Sequence, residues 1–287
     1  MIYTNGNATI QIQNDGTRII EYQDKLNLEY PLNLDIRVST GCSFASTICK
    51  DFCHESAVTN GKDCNYEILK SKLEDLPKGI ELAIGCNTFT EDLYRFLDWC
   101  QYKQFICNLT INQGHLQRDS NYLGQAIMND YVKGLGISYR NSIKWNVHQF
   151  FLDYPNTVFH VIAGIDTFKD VENLASKGVK KILVLGEKDF GYNATKVDLN
   201  SINHRKWFWW ISKLFKKFEV VSFDNLALEQ LQIRRFFSDE SWNTFNQGEY
   251  SFYIDAANEV FKPSSRSSDS VNWNDATIKD YFQQLQN

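Results

Sequence analysis

LNLDIRVSTGCSFASTICKDFCHES, residues 32–56, decides how the chain is read. Its first eight residues alternate, with Leu32, Leu34, Ile36 and Val38 set against Asn33, Asp35, Arg37 and Ser39. Side chains alternate across a strand, so these residues predict a strand with one apolar and one polar face. Cys42, Cys49 and Cys53 follow at once, spaced C-x6-C-x3-C. All seven cysteines of the 287-residue chain fall between Cys42 and Cys107, and the odd number argues against a fully paired disulfide framework.

Working outward, the strand pattern repeats. Apolar runs recur at IELAIG (80–85), FICNLTIN (105–112), GLGISY (134–139), VFHVIAG (158–164), KKILVLG (180–186) and FEVVSF (218–223). Helical segments separate them. Thr88 with Glu91 reads as a capping box opening a helix through Leu93, Phe96, Leu97 and Cys100. Thr167 precedes a second helix, and Gly178 reads as its stop. Strand–helix alternation implies parallel strands joined by right-handed crossovers. The expected fold is an α/β partial (β/α)6-type barrel, with a doubly wound open sheet as the runner-up. Residues 1–30 form a β annex, ATIQIQ and TRIIEY flanking the turn signal NDG. Residues 31–224 make the barrel core. Residues 225–287 make an extension, with a hairpin at 250–263 and a closing helix from 274, expected to cap the barrel.

The polar strand face is unusual for a parallel sheet, whose strands are normally apolar on both sides. Asn108, Thr110 and Asn112 alternate with Cys107, Leu109 and Ile111, and Glu81, Ser138 and His160 fit the same scheme. Burying such groups dry and unpaired costs about 2–7 kcal/mol each. The polar face is therefore expected to look into a wet or ligand-filled lumen.

Formal net charge is −5 and the sequence pI about 5.6, which argues against nucleic acid as an obligatory partner. The start, MIYTNGNATIQIQ, lacks the basic-then-apolar pattern of a signal peptide, and no stretch approaches a membrane span. A cytoplasmic, reducing compartment is expected, where clustered cysteines mean metal or redox chemistry more often than disulfides.

The cysteine segment follows the first core strand, at the strand end where barrel active sites are built. Three thiolates hold a metal and leave one position open for chemistry; a fourth ligand from Cys64, His54 or Cys86 would close a structural zinc site. Three incidental cysteines are the remaining reading.

The strand, the cysteine triad and the aromatic Phe52 before the third cysteine together resemble the radical S-adenosylmethionine (SAM) superfamily, over roughly residues 31–190. The resemblance implies that Cys42, Cys49 and Cys53 hold a 4Fe–4S cluster. It also implies that SAM is cleaved reductively there, starting hydrogen abstraction from a substrate. Relative to the usual C-x3-C-x2-C, three residues are added between the first two cysteines and one between the last two. By the same resemblance IGCN corresponds to a GGE-like motif, placing Gly85, Cys86 and Asn87 near the SAM amino group, with Asn87 where an acid is usual. Asn112, with Gln113 beside it, corresponds to the ribose-binding position. Ser138 or Arg140 would meet ribose or carboxylate, and Ile162 and Gly164 would flank adenine. Glu187 and Lys188 end the sixth core strand, where substrate would lie. An electron donor such as flavodoxin or ferredoxin is implied, and the substrate class stays open between peptide, nucleotide and small metabolite. A non-catalytic scaffold stabilised by zinc or a degenerate cluster is the alternative. A barrel enzyme with incidental cysteines is a third.

Other side chains have duller readings beside these. His54 and Glu55 are exposed residues or proton donors; His160 is a polar-network member or a ligand contact; Cys86 is a core residue or a thiol facing substrate. Trp207, Phe208, Trp210, Ile211, Leu214, Phe215 and Phe218 form one stripe of a helix over 204–218 whose other residues are largely basic. Packing of an outer helix is expected from it; binding to a membrane or partner is the other reading.

Overall fold

The computed structural model describes residues 1–13, 18–45, 47–50, 53, 57–193, 197–242 and 250–286. The predicted NDG turn, Phe52, His54 and Glu55 lie outside them.

Strands β1 (Ile2–Asn5), β2 (Ala8–Ile12) and β3 (Arg18–Tyr22) form a three-stranded antiparallel sheet. The expected annex thus gains a strand. It is tied to the main body by Tyr3, Ile10 and Ile12, which join the common core, and by an Arg18–Glu81 ion pair of 3.5 Å.

Among the described residues the main sheet contains ten strands. β4 (Asn33–Arg37), β5 (Glu81–Cys86), β6 (Ile106–Asn112), β7 (Gly134–Ser138), β8 (Thr157–Ile162), β9 (Lys181–Leu185) and β10 (Val220–Phe223) pair in chain order, each parallel to the next. All seven coincide with the predicted runs. Sequential order with right-handed crossovers brings the connecting helices to one face. The helices are α1 (Tyr66–Leu73), α2 (Glu91–Tyr102), α3 (Gln113–Met128), α4 (Gln149–Asp153), α5 (Phe168–Glu172), α6 (Ile202–Trp210), α7 (Asn225–Gln230), α8 (Asp239–Trp242) and α9 (Ile278–Gln286). α2 packs on β6, α3 on β6 and β7, α4 on β8, and α7 on β9 and β10. The result is an α/β fold with a large, mostly parallel sheet. Burial alternates as the sequence requires: Leu34, Ile36, Cys107, Leu109 and Ile111 are buried, while Asn33, Asn108, Thr110 and Asn112 are half-buried.

β11 (Ser251–Asp255), β12 (Val260–Lys262) and β13 (Val271–Asn272) correct the expected cap. The hairpin of β11 and β12 exists, but β11 pairs parallel to β4 and extends the sheet. It supplies backbone partners to β4, whose edge would otherwise stay unpaired. The register sets Asp255 beside Arg37, and their side chains pair at 3.2 Å.

Two local predictions shift. The cap of α2 is Thr90, whose Oγ1 accepts from the Leu93 amide at 3.2 Å, whereas Thr88 Oγ1 accepts from Arg118 at 3.1 Å. The predicted helix over 204–218 is α6 up to Trp210, then 3-10 turns over Ile211–Lys216. Thr167 does cap α5, and Gly178 stops the turn that follows at φ 88°. None of the helices among the described residues is long and apolar enough to cross a membrane.

Candidate functional site

The cysteine loop leaves β4 and is laced to residues 58–62. The Cys42 amide donates to Val58 O at 2.9 Å, the Thr40 amide to Lys62 O at 2.9 Å, and the Val58 amide to Thr40 O at 3.0 Å. Farther along, Ser43 Oγ lies 2.9 Å from His115 Nε2, and the Phe44 ring stacks on the His115 imidazole at 4.6 Å. Asn87 Nδ2 donates to Gly41 O. A Cβ on Gly114 would stand 2.4 Å from the Phe44 ring, so glycine lets α3 take the loop this closely. The Cys49 amide donates to Phe44 O and the Cys53 amide to Cys49 O, both at 3.0 Å. The loop is thus held at the C-terminal ends of β4, β5 and β6.

The three thiols are half-buried and free. Burial raises the pKa of Cys42, and the neighbouring Cys53 adds to it, while the Phe44 and Ala45 amides and Arg118 oppose. Cys49 is pushed up to about 11, by burial first; Arg140 opposes, and Cys42 and Cys53 add to the rise. The thiolates of Cys42 and Cys49 are therefore each destabilised by burial and by a neighbouring cysteine, which a shared cation reverses. Among the described residues no three His, Cys, Asp or Glu side chains stand in a formed metal-ligand set. The donors are nevertheless three soft thiols on one loop, close enough to feel each other's charge and that of two arginines, and this set suits an iron–sulfur cluster.

The strand register places the other predicted residues along the same edge. Asn112 sits opposite Ser138, and Ser138 opposite His160. Gly136 makes room for its neighbours: a Cβ there would lie 2.6 Å from the His160 ring and 2.8 Å from Thr110 Oγ1. Asn112 Oδ1 is engaged, capping α3 through the Gly114 amide at 2.9 Å. The Gln113 side chain turns away to Ile143 O and Lys144 O. Gly85 is exposed, and a Cβ there would meet nothing nearer than Ile36 O at 3.9 Å, so its missing side chain leaves open surface beside the loop. Cys86 differs: its side chain shares the buried face with Leu82 and Ile84 and belongs to the core, the first of its two readings from sequence.

Beyond β7 and β8 the edge is charged and buried. Arg140 Nη1 pairs with Asp166 Oδ2 at 3.3 Å, and Asp166 Oδ2 also accepts from the Ile162 amide at 2.7 Å. Burial lifts Asp166 to about 6 against the pull of Arg140. Gly164 adopts φ +96°, and a Cβ there would strike Glu187 Oε2 at 2.4 Å and His204 Nδ1 at 2.5 Å. Glu187 and His204 stand 3.8 Å apart, and burial lowers the His204 pKa. Lys188 lies with its ammonium over the Phe190 ring. Sequence reading named neither His115, Asp166 nor His204. The run from Asn112 through His115, directly after a strand with a polar face, was the available signal for the first.

Burial holds His160 neutral, its pKa lowered to about 4 with Arg140 assisting, and His115 is lowered to about 4 mainly by burial. A base with a depressed folded pKa contributes stability above its unfolded value near 6.5 and loses it as pH falls through the folded value. His160 alone should cost about 3 kcal/mol by pH 4. Thermal melts from pH 7.5 down to 4 should show stability falling below pH 6.5, with a shallower fall in His160→Gln.

A cavity of about 190 Å³ lies at the opposite end of the strands, among Thr157, Lys181 and Glu219, and takes no part in this site.

No family model matches the chain, and no curated protein does. Among solved structures, the fold is similar to that of Streptococcus suis SuiB bound to its precursor peptide SuiA, with TM-score 0.56 and 12% identity, covering 90% of this chain and 66% of SuiB. It is equally similar to SuiB bound to S-adenosylmethionine, with TM-score 0.56 and 12% identity, covering 89% of this chain and 64% of the other. The chain therefore spans about two thirds of SuiB's length, and what the two share is the fold.

Proposed function

We propose that the chain is a radical SAM enzyme acting on a peptide substrate, with the main sheet curved as a partial barrel around its polar face. The observation that carries this is the placement of the cysteine loop. Three mutually interacting thiols are pinned at the C-terminal edge of a sheet whose fold matches one found with SAM bound. Supporting it are the open surface at Gly85 and the row Asn112, Ser138 and His160 on that edge. The peptide assignment rests on SuiB, whose structure includes its precursor peptide.

In this reading Cys42, Cys49 and Cys53 hold a 4Fe–4S cluster. Such a cluster would supply the electron for reductive cleavage of the SAM sulfonium, the chemistry that starts hydrogen abstraction from substrate. The chain's residues do the rest. Gly85 and the Cys86–Asn87 backbone leave room for the SAM amino end. Asn112 and Ser138 orient the ribose, and Ile162 and Gly164 flank the base. His160, kept neutral, offers a ring nitrogen to a hydrogen bond without adding charge. Arg140, held by Asp166, places a fixed cation next to the cysteine loop, suited to a carboxylate. A flavodoxin- or ferredoxin-type donor delivers the electron.

The test is anaerobic reconstitution with iron and sulfide, then dithionite and SAM. The expected result is near four irons per chain, broad absorption near 400 nm and formation of 5′-deoxyadenosine, following the cluster stoichiometry. Stoichiometric zinc with no SAM cleavage would establish the scaffold reading instead.

A further inference from the structure

The helix α6 carries two apolar faces, and only one is explained by the fold. Its inward face is the expected packing stripe. Trp207 of α6 is buried, as are Ile211, Leu214 and Phe218 in the stretch that follows, with Phe168 against the Trp207 ring and the Trp207 indole donating to Asp166 O at 2.8 Å. The outward face of a packing helix should be polar throughout. Here Ile202 and Trp209, seven residues apart and so on one face, are 75% and 68% exposed. Arg205 and Lys206 lie between them on that face, and neither has an ion-pair partner among the described residues.

The patch continues past the helix end. Trp210 and Phe215 are exposed, with the Lys213 ammonium over the Trp210 ring at 4.7 Å. Phe215 meets exposed Phe236 edge-on at 5.6 Å, and the Arg235 guanidinium bridges the Phe236 and Phe208 rings. Residues 202–217 hold Arg205, Lys206, Lys213, Lys216 and Lys217 and no acidic residue, in a chain whose formal net charge is −5. Lys217 is paired with Glu172 at 3.3 Å, and the other four cations make a local basic field set against an acidic whole.

From this geometry we infer that the outward face of α6 and the turns after it dock on an anionic phospholipid surface. Three features select that occupant. Exposed apolar patches of this extent mark interaction sites, and here the most exposed members are side chains that stand out from a helix. They suit a flat boundary that takes up protruding groups. Indole rings favour the boundary between water and hydrocarbon, having an apolar body and one N–H donor. Cations interleaved with them draw the patch to negative headgroups, an attraction that salt weakens. The inference is independent of the cysteine chemistry.

The experiment uses the full chain with vesicles of phosphatidylcholine alone and of phosphatidylcholine with about one third phosphatidylglycerol, a content that gives the charged surface the patch requires. Sedimentation should show binding to the anionic vesicles only, weakening at least about tenfold between low and high salt. Brominated lipid should quench part of the tryptophan emission. Arg205→Glu with Lys206→Glu should abolish binding, and Ile202→Ser with Trp209→Ala should weaken it about tenfold, the latter also losing the quenching. Both pairs sit on the exposed face, so unchanged circular dichroism and melting will confirm intact folding. Equal binding to neutral vesicles, no binding at low salt, or full binding by either variant would overturn the inference. So would capture by soluble polyglutamate in the absence of vesicle binding, which would make the partner an acidic polypeptide.

Discussion

Cys49→Ala should lose the capacity to assemble a cluster while keeping its fold. Cys49 is half-buried on the loop, outside the hydrophobic core, so truncation opens no core cavity and the melting temperature should move by no more than about 2 °C. Iron per chain after reconstitution should fall well below that of the parent, and 5′-deoxyadenosine formation by at least about 100-fold, since removing one of three thiolate ligands leaves the iron underbound. Cys42→Ala and Cys53→Ala should behave alike. The informative comparison is with Cys64→Ala and Cys86→Ala. A structural zinc site closed by Cys64 or Cys86 would lose its metal in that variant too, and one closed by His54 would lose it in His54→Ala. Both cysteines are buried, and both thiols are raised by burial. In the proposed enzyme their replacement costs about 1 kcal/mol of packing and leaves iron content and SAM cleavage intact. Iron loss in Cys86→Ala together with retention in Cys49→Ala would reject the ligand assignment.

The strands were legible because alternation is local. A strand with helices on one side must show period two, and Leu34–Ile36 and Leu109–Ile111 did. The same rule, carried to Leu82 and Ile84, sets Cys86 on the core face, one of its two readings from sequence. What stayed hidden depended on distant parts of the chain. No local pattern says which edge a late strand will join, so β11 looked like part of a cap until its register beside β4 was seen. The longer spacing before Cys49 and the Asn87 of the GGE-like motif likewise find a physical use only in three dimensions. Ser43 and Phe44, inside the stretched spacing, are the residues that grip His115 across 72 positions of sequence. Asn87, where an acid is usual, donates its amide hydrogen to Gly41 O, a bond no carboxylate would make. In each case the substituted residue fastens the cysteine loop.

That fastening exposes a second large effect, at a glycine outside the motif. A Cβ on Gly61 would lie 2.2 Å from Gly41 N, 2.3 Å from Thr40 C and 2.5 Å from Gly41 Cα. These are backbone atoms of the segment entering Cys42, held on both sides by the Thr40–Lys62 and Cys42–Val58 hydrogen bonds, so no rotamer change relieves the clash. Gly61→Ala should cost about 3 kcal/mol, the upper range for overpacking, and lower the melting temperature by about 6 °C. Because the displaced atoms lead directly into Cys42, reconstituted iron should fall with stability. Gly85→Ala is the counterpart. Its added methyl meets only Ile36 O at 3.9 Å, so melting should stay within about 1 °C of the parent. If Gly85 leaves its open surface for SAM, that methyl occupies the ligand's place, and SAM affinity by equilibrium dialysis should drop about tenfold, or about 1.4 kcal/mol, with iron content unchanged. One glycine then holds the cysteine loop against the sheet and the other keeps space beside it. A Gly85→Ala chain binding SAM as the parent does would move the cofactor off this strand end, whatever the cysteines hold.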